Sequence, residues 1–356
     1  MGIDFRLQRY AGYALLAAAL FGASTPAAKL LLAQASPLVL AGLLYLGSGL
    51  GLALVRVARG LRNDGPQRAL RDELRGRQWL WLAGAVLMGG VLAPVLLMWG
   101  LSGSAASSTS LLLNLEGVAT TVVAALVFRE AVSSRVWLGA VLMLLGACAL
   151  SYAPSTRFGF SLHALAVIGA CVAWAFDNNL TRAISTQDPT TIAMIKGLAA
   201  GSVNLALGFA AGGQLPGAGA TAAALGVGAL GYGASLVLFI LALRHIGSAR
   251  TAAHFGTAPF AGAALSILLL GEPMGPLFLV ALALMLAATW LVVTEKHAHP
   301  HTHEPLEHSH EHVHDEHHQH THGGDEGPEP HTHPHRHEPL THSHPHLPDI
   351  HHRHGH

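Results

Sequence analysis

Charge is what this sequence has least of. Only 11% of the 356 residues are Asp, Glu, Lys or Arg, against about a quarter in soluble domains. The mean hydropathy is +0.42, so an ordinary cytosolic enzyme is excluded. Two cysteines, Cys148 and Cys171, both within apolar runs, exclude a disulfide framework and read as small hydrophobes. A formal net charge of zero leaves no electrostatic hold on nucleic acid. No phosphate loop, cofactor fingerprint or nucleophile–base pair stands out, so the chain reads as a non-enzyme that needs no cofactor. The first apolar run follows Arg6 and Arg9 without a small-residue cleavage site before a soluble domain, and reads as a retained helix.

Long apolar runs fill residues 1–296. Crossing a bilayer takes roughly 20 apolar residues. Ten segments reach that length, at about 10–33, 37–57, 79–101, 106–128, 134–152, 162–183, 189–211, 220–243, 249–270 and 274–294. If they alternate from an N-terminus on the inner side, fourteen arginines between Arg6 and Arg250 fall inside, while Lys29 and Arg157 fall outside. That bias follows the positive-inside rule and leaves both termini cytoplasmic. Trp79, Trp81 and Trp137 fall where an inner aromatic belt belongs.

The two halves repeat. Phe21–Lys29 (FGASTPAAK) aligns with Trp174–Arg182 (WAFDNNLTR) at an offset of 153, and Val127–Glu130 (VFRE) with Leu269–Glu272 (LLGE) at 142. Five helices per copy is an odd number, so the second copy enters the membrane inverted, a common plan for secondary transporters. The sequence thus predicts an all-α polytopic membrane protein of ten helices in two inverted five-helix repeats. Residues 1–155 form the first repeat, 156–296 the second, and 297–356 a tail.

Ten spans as 5+5, an aromatic–small–polar segment in helices 1 and 6, and a glutamate closing helices 4 and 9 together resemble the EamA-type branch of the drug/metabolite transporter superfamily, over residues 10–294. The resemblance implies a permease or exporter of a small metabolite in a bacterial inner membrane. It also implies proline within helices 4 and 9; Pro259 fits, but its counterpart at an offset of 142 is Gly117, preceded by Glu116.

A charge at the centre of a spanning helix costs about 2.5–3.5 kcal/mol on insertion scales, so ionisable residues there are functional suspects. Helix 4 carries Asn114 and Glu116, about 200° apart on an unbroken helix. Ser110, Asn114 and Gly117 share one face. Helix 6 carries Asp177, Asn178 and Asn179 in succession, and three adjacent polar residues line water or loosen the helix. Thr25 precedes Pro26, which frees a carbonyl in helix 1. His254 lies five residues before Pro259. Glu116, Asn114, Asp177, Asn178, His254 and Thr25 are therefore the candidate substrate-binding residues. Glu116 competes with a reading as a structural carboxylate, and His254 with one as a neutral interhelical hydrogen-bonding group. Lys196, about seven residues from the helix entry at Pro189, reads as a cation snorkelling to the interface. Glu130 and Glu272 read as helix-end anchors.

The tail holds 23 of the 26 histidines and 10 of the 20 acids. With almost no apolar residues it has no core to fold around and reads as disordered. Alternating H-x-H spacing suits divalent transition metals, with His308, His310, His312, His314, His317, His318, His320, His331, His333, His335 and His337 as ligands. Three functions follow. The first is a gradient-coupled permease for a small organic solute, with the bilayer and the solute as partners and a homodimer possible. The second is a Ni, Co, Zn or Cu exporter fed by the tail. The third is a membrane-anchored metal sensor or store.

Overall fold

The computed structural model describes residues 5–61, 76–127, 132–153, 160–182, 184, 188–294, 298–303, 307–312, 331–336 and 340–345. It divides into a helical body, residues 1–295, and the tail from residue 296.

The first half of the body begins with α1 (Phe5–Leu31) and α2 (Pro37–Leu61). A third helix follows in three pieces: α3 (Gln78–Ala85), a seven-residue π-helix π1 (Val86–Leu92) and α4 (Ala93–Ser102). After it come α5 (Ala106–Leu112), α6 (Leu115–Val127) and α7 (Ser134–Ser151). The second half runs α8 (Leu162–Arg182), α9 (Pro189–Ala210), α10 (Ala218–Val227), π2 (Gly228–Ala234), α11 (Ser235–Phe255), α12 (Ala258–Leu270) and α13 (Pro276–Val293).

Eight described helices are long and apolar enough to cross a membrane, rather than ten unbroken spans. The fourth and ninth expected spans are interrupted. The turn Leu113–Asn114 separates α5 from α6, and Gly256–Thr257 separates α11 from α12. The first break needs no proline: Asn114 Nδ2 donates to the Leu111 carbonyl at 2.9 Å, offering the backbone an alternative to the helical ladder. The second is set by Pro259 in the first turn of α12, which lacks an N–H and crowds the carbonyl four residues back. No loop divides the expected eighth and ninth spans near residue 245, because α11 runs through without a proline or turn pair to stop it.

Element lengths recur between the halves. The seven-residue π1 and π2 start 142 positions apart, as do the 18-residue α7 and α13. The 13-residue α6 and α12 start 143 apart, which makes Glu116, not Gly117, the positional counterpart of Pro259. Packing between the halves exchanges in kind. α2 packs on α9, α7 on α13, α1 on π2, α11 and α12, and α8 on π1, α4 and α6.

Small residues make these contacts close, since helices in lipid gain by packing rather than by hydrophobic burial. A Cβ on Gly22 of α1 would stand 2.5 Å from the Ala258 carbonyl oxygen, and one on Gly262 of α12 would stand 2.8 Å from that of Gly22.

The tail differs from the expected disordered chain. Its described backbone forms two antiparallel pairs, β1 (Ala298–His303) with β4 (Leu340–Pro345) and β2 (Glu307–His312) with β3 (His331–Arg336). An H-x-H repeat has the two-residue period of a strand, and a ladder satisfies backbone groups without a core. In register, His308, His310 and His312 stand opposite His335, His333 and His331. His314, His317, His318, His320 and His337 lie outside the described residues.

Candidate functional site

The polar interior centres on α8. Asp177 and Asn178 are consecutive, so the helix turns them about 100° apart and hands them to different neighbours. Asn178 Nδ2 donates to Glu116 Oε1 at 3.0 Å and to Thr120 Oγ1 at 3.3 Å, tying α8 to α6. Glu116 lies in the first turn of α6, just past the helix break, half-buried. A helix N-terminus is where the dipole favours a carboxylate. Gly117 beside it has no atom within 4 Å of where a Cβ would stand.

Asp177 turns the other way. It is buried, and both its oxygens accept from Lys196 Nζ of α9 at 2.6 Å. Thr181 Oγ1 donates to Oδ1 at 3.0 Å. Lys196 therefore reaches inward to an ion pair, correcting its expected course to the interface, because the pair neutralises both charges inside the bundle. Asn179 donates to the carbonyl of Ala175 at 2.8 Å, within its own helix.

The pair packs on π1. A Cβ on Gly89 would lie 1.9 Å from Asp177 Oδ2, so only glycine fits there. The i→i+5 pattern leaves carbonyls exposed, and π-bulges are frequent at functional sites. Side chains cover these ones. Tyr45 Oη donates to the Gly89 carbonyl at 2.6 Å, Trp174 Nε1 to the same oxygen at 3.0 Å, and Asn204 Nδ2 to the Gly90 carbonyl at 2.9 Å. Asn204 Oδ1 is buried without a partner among the described residues.

Of the six expected site residues, Glu116 and Asn178 are brought into direct contact, and Asp177 is beside them but engaged with Lys196. Asn114 bonds its own helix, and the break at residues 113–114 removes the shared face expected with Ser110 and Gly117. Thr25 is buried in α1. His254 is half-buried near the second break, where its carbonyl accepts from Thr257 Oγ1 at 2.6 Å. Tyr45, Asn204 and Gly89 escaped the sequence reading, each sitting singly in an apolar run. Sequence alone marks Lys196 only as an interfacial cation and Trp174 only as the aromatic of a repeated segment. Among the described residues no three His, Cys, Asp or Glu side chains gather as a metal site.

Residues 8–152 and 161–294 each match the EamA-like transporter family, one copy per half. The chain belongs to that family. It is also 28% identical over 285 residues to an uncharacterized transporter of Methanothermobacter thermautotrophicus, covering 75% of this chain and 81% of the relative. A solved crystal structure of a protein 16% identical in sequence matches the fold, with a TM-score of 0.58 over 80% of this chain and 95% of the other. The double match fits the paired element lengths of this EamA-family chain, and it places Glu116 in the first copy and Asn178 in the second. The contact between them therefore bridges the two copies.

Proposed function

We propose that this EamA-family protein moves a small organic solute across the membrane by alternating access between two oppositely oriented five-helix halves, with Glu116 and Asn178 lining the path. The carrying observation is the Glu116–Asn178 contact. It sets a carboxylate at a broken helix against a neutral amide of the other copy. By contrast, Asp177 is paired with Lys196 and Asp188 with Arg56, while Lys29 and Glu272 hold backbone groups. The exchanged packing of the halves and their matched element lengths support the inverted arrangement. The arginine bias supports a topology with both termini in the cytoplasm.

The test begins with metabolite profiling of cells that overexpress the protein, to find a solute whose level shifts. Counterflow of that solute is then measured in proteoliposomes. Glu116→Gln, purified as a monodisperse protein, abolishes exchange under this reading. Exchange at the native rate would remove Glu116 from the path.

The tail supports a second role, binding of divalent transition metal. The register opposing His308, His310 and His312 to His335, His333 and His331 favours it, because directly opposed strand positions are about 5 Å apart at Cβ.

A further inference from the structure

We infer that Lys29 and Glu272 form a latch that closes one end of the transport path by gripping the turn between α4 and α5. The inference rests on the transport reading above. The turn spans Gly103–Ala105, between the end of α4 at Ser102 and the start of α5 at Ala106. Lys29 Nζ, at the end of α1, donates to the carbonyls of Leu101 at 2.7 Å, Ser102 at 3.3 Å and Ser104 at 2.7 Å. On the other side, Glu272 Oε1 accepts from the Ala106 N–H at 2.7 Å and Oε2 from the Ser107 N–H at 2.8 Å. The cation thus caps orphan carbonyls of one helix and the carboxylate caps orphan amides of the next, each with the sign that the helix dipole favours.

A third residue completes the grip. The His163 ring, from the start of α8, fills the space that a Cβ on Gly103 would need, its atoms 2.4 Å from that point, and lies 4.9 Å from the Trp99 ring. Glu272 and His163 belong to the second copy, whereas the turn and Lys29 belong to the first. Lys29 therefore holds the turn within the first copy, and the Glu272 bonds and the His163 contact tie it to the second at one end. Separating the halves there requires the two bonds to Glu272 to break. As a sequence pattern, each partner has a like-charged counterpart in the opposite copy: Arg182 of the second copy aligns with Lys29, and Glu130 of the first with Glu272.

The test uses the full chain in nanodiscs, with both faces accessible. In a Cys148→Ser/Cys171→Ala background, Ser110→Cys reports on the interior behind the turn, since Ser110 is 1% exposed and packs against Gly262. Lys29→Met and Glu272→Gln each raise the rate of maleimide labelling about ten-fold, as expected when a charged hydrogen-bonding group is lost. Lys29→Arg and Glu272→Asp keep the native rate. Native rates in Lys29→Met and Glu272→Gln would overturn the latch, and so would equal rates in Lys29→Arg and Lys29→Met. A second measurement replaces the bonds to Glu272 with a covalent link. Ser104→Cys with Glu272→Cys, joined by a short bifunctional thiol reagent, stops solute exchange until a reductant restores it; exchange that persists with the link complete would overturn the gate. The labelling rates need no solute. A latch that responds in labelling while Glu116→Gln exchanges normally would therefore remove only the assignment of the path.

Discussion

Asp177 and Lys196 lie 19 residues apart on adjacent helices, and both carboxylate oxygens stand 2.6 Å from the one ammonium. Their side chains are 6% and 16% exposed. Removing one partner strands a charge among apolar helices, whereas removing both strands none. Lys196→Met is expected to lower stability by about 3–5 kcal/mol, and the double change Asp177→Leu/Lys196→Met by much less. Thermal unfolding in detergent of the two single variants and the double variant checks this. Additive losses would show that the pair does not act as a unit.

Gly89 is fixed by that same pair. Gly89→Ala drives a methyl into the Asp177 carboxylate and should reduce the monodisperse yield sharply, while Gly117→Ala meets open space and should leave it unchanged. Size-exclusion profiles of the two variants side by side give the answer.

The Gly89 carbonyl accepts from both Tyr45 and Trp174. Either donor keeps it satisfied when the other is lost, so Tyr45→Phe and Trp174→Phe should each cost about 1 kcal/mol. The double variant should cost more than their sum, because the carbonyl is then buried and unpaired. Unfolding midpoints of the four proteins test the coupling.

Asn204 spans from α9 to π1 through one amide hydrogen bond at 2.9 Å. Asn204→Leu leaves the Gly90 carbonyl bare and should destabilise by about 1–3 kcal/mol. An unchanged unfolding midpoint would mean that another donor covers that oxygen.

For the tail, His308→Ala/His310→Ala/His312→Ala in the full chain should reduce the number of nickel or zinc ions bound in equilibrium dialysis. Stoichiometry equal to the native protein would detach those register positions from metal binding.

Residue types and their order along the chain were enough to determine a helical membrane protein, its duplication and its family. Hydropathy, arginine placement and repeated segments are local properties, and a bilayer imposes them on each helix separately. Glu116 and Asn178 stood out for the same reason, as polar groups in apolar surroundings. Partnership was decided only by the tertiary structure. Whether Asp177 faces solute or Lys196 depends on how α8 is rotated against α9 and π1, and Gly89 settles that rotation by admitting the carboxylate. The break before Glu116 occurs without a proline because Asn114 bonds back to Leu111, a competition that depends on one rotamer. Lys29 and Glu272 meet the turn at Gly103–Ala105 from more than 70 and 160 residues away. Contacts over such separations follow from packing of the two copies, which no periodicity along the chain encodes.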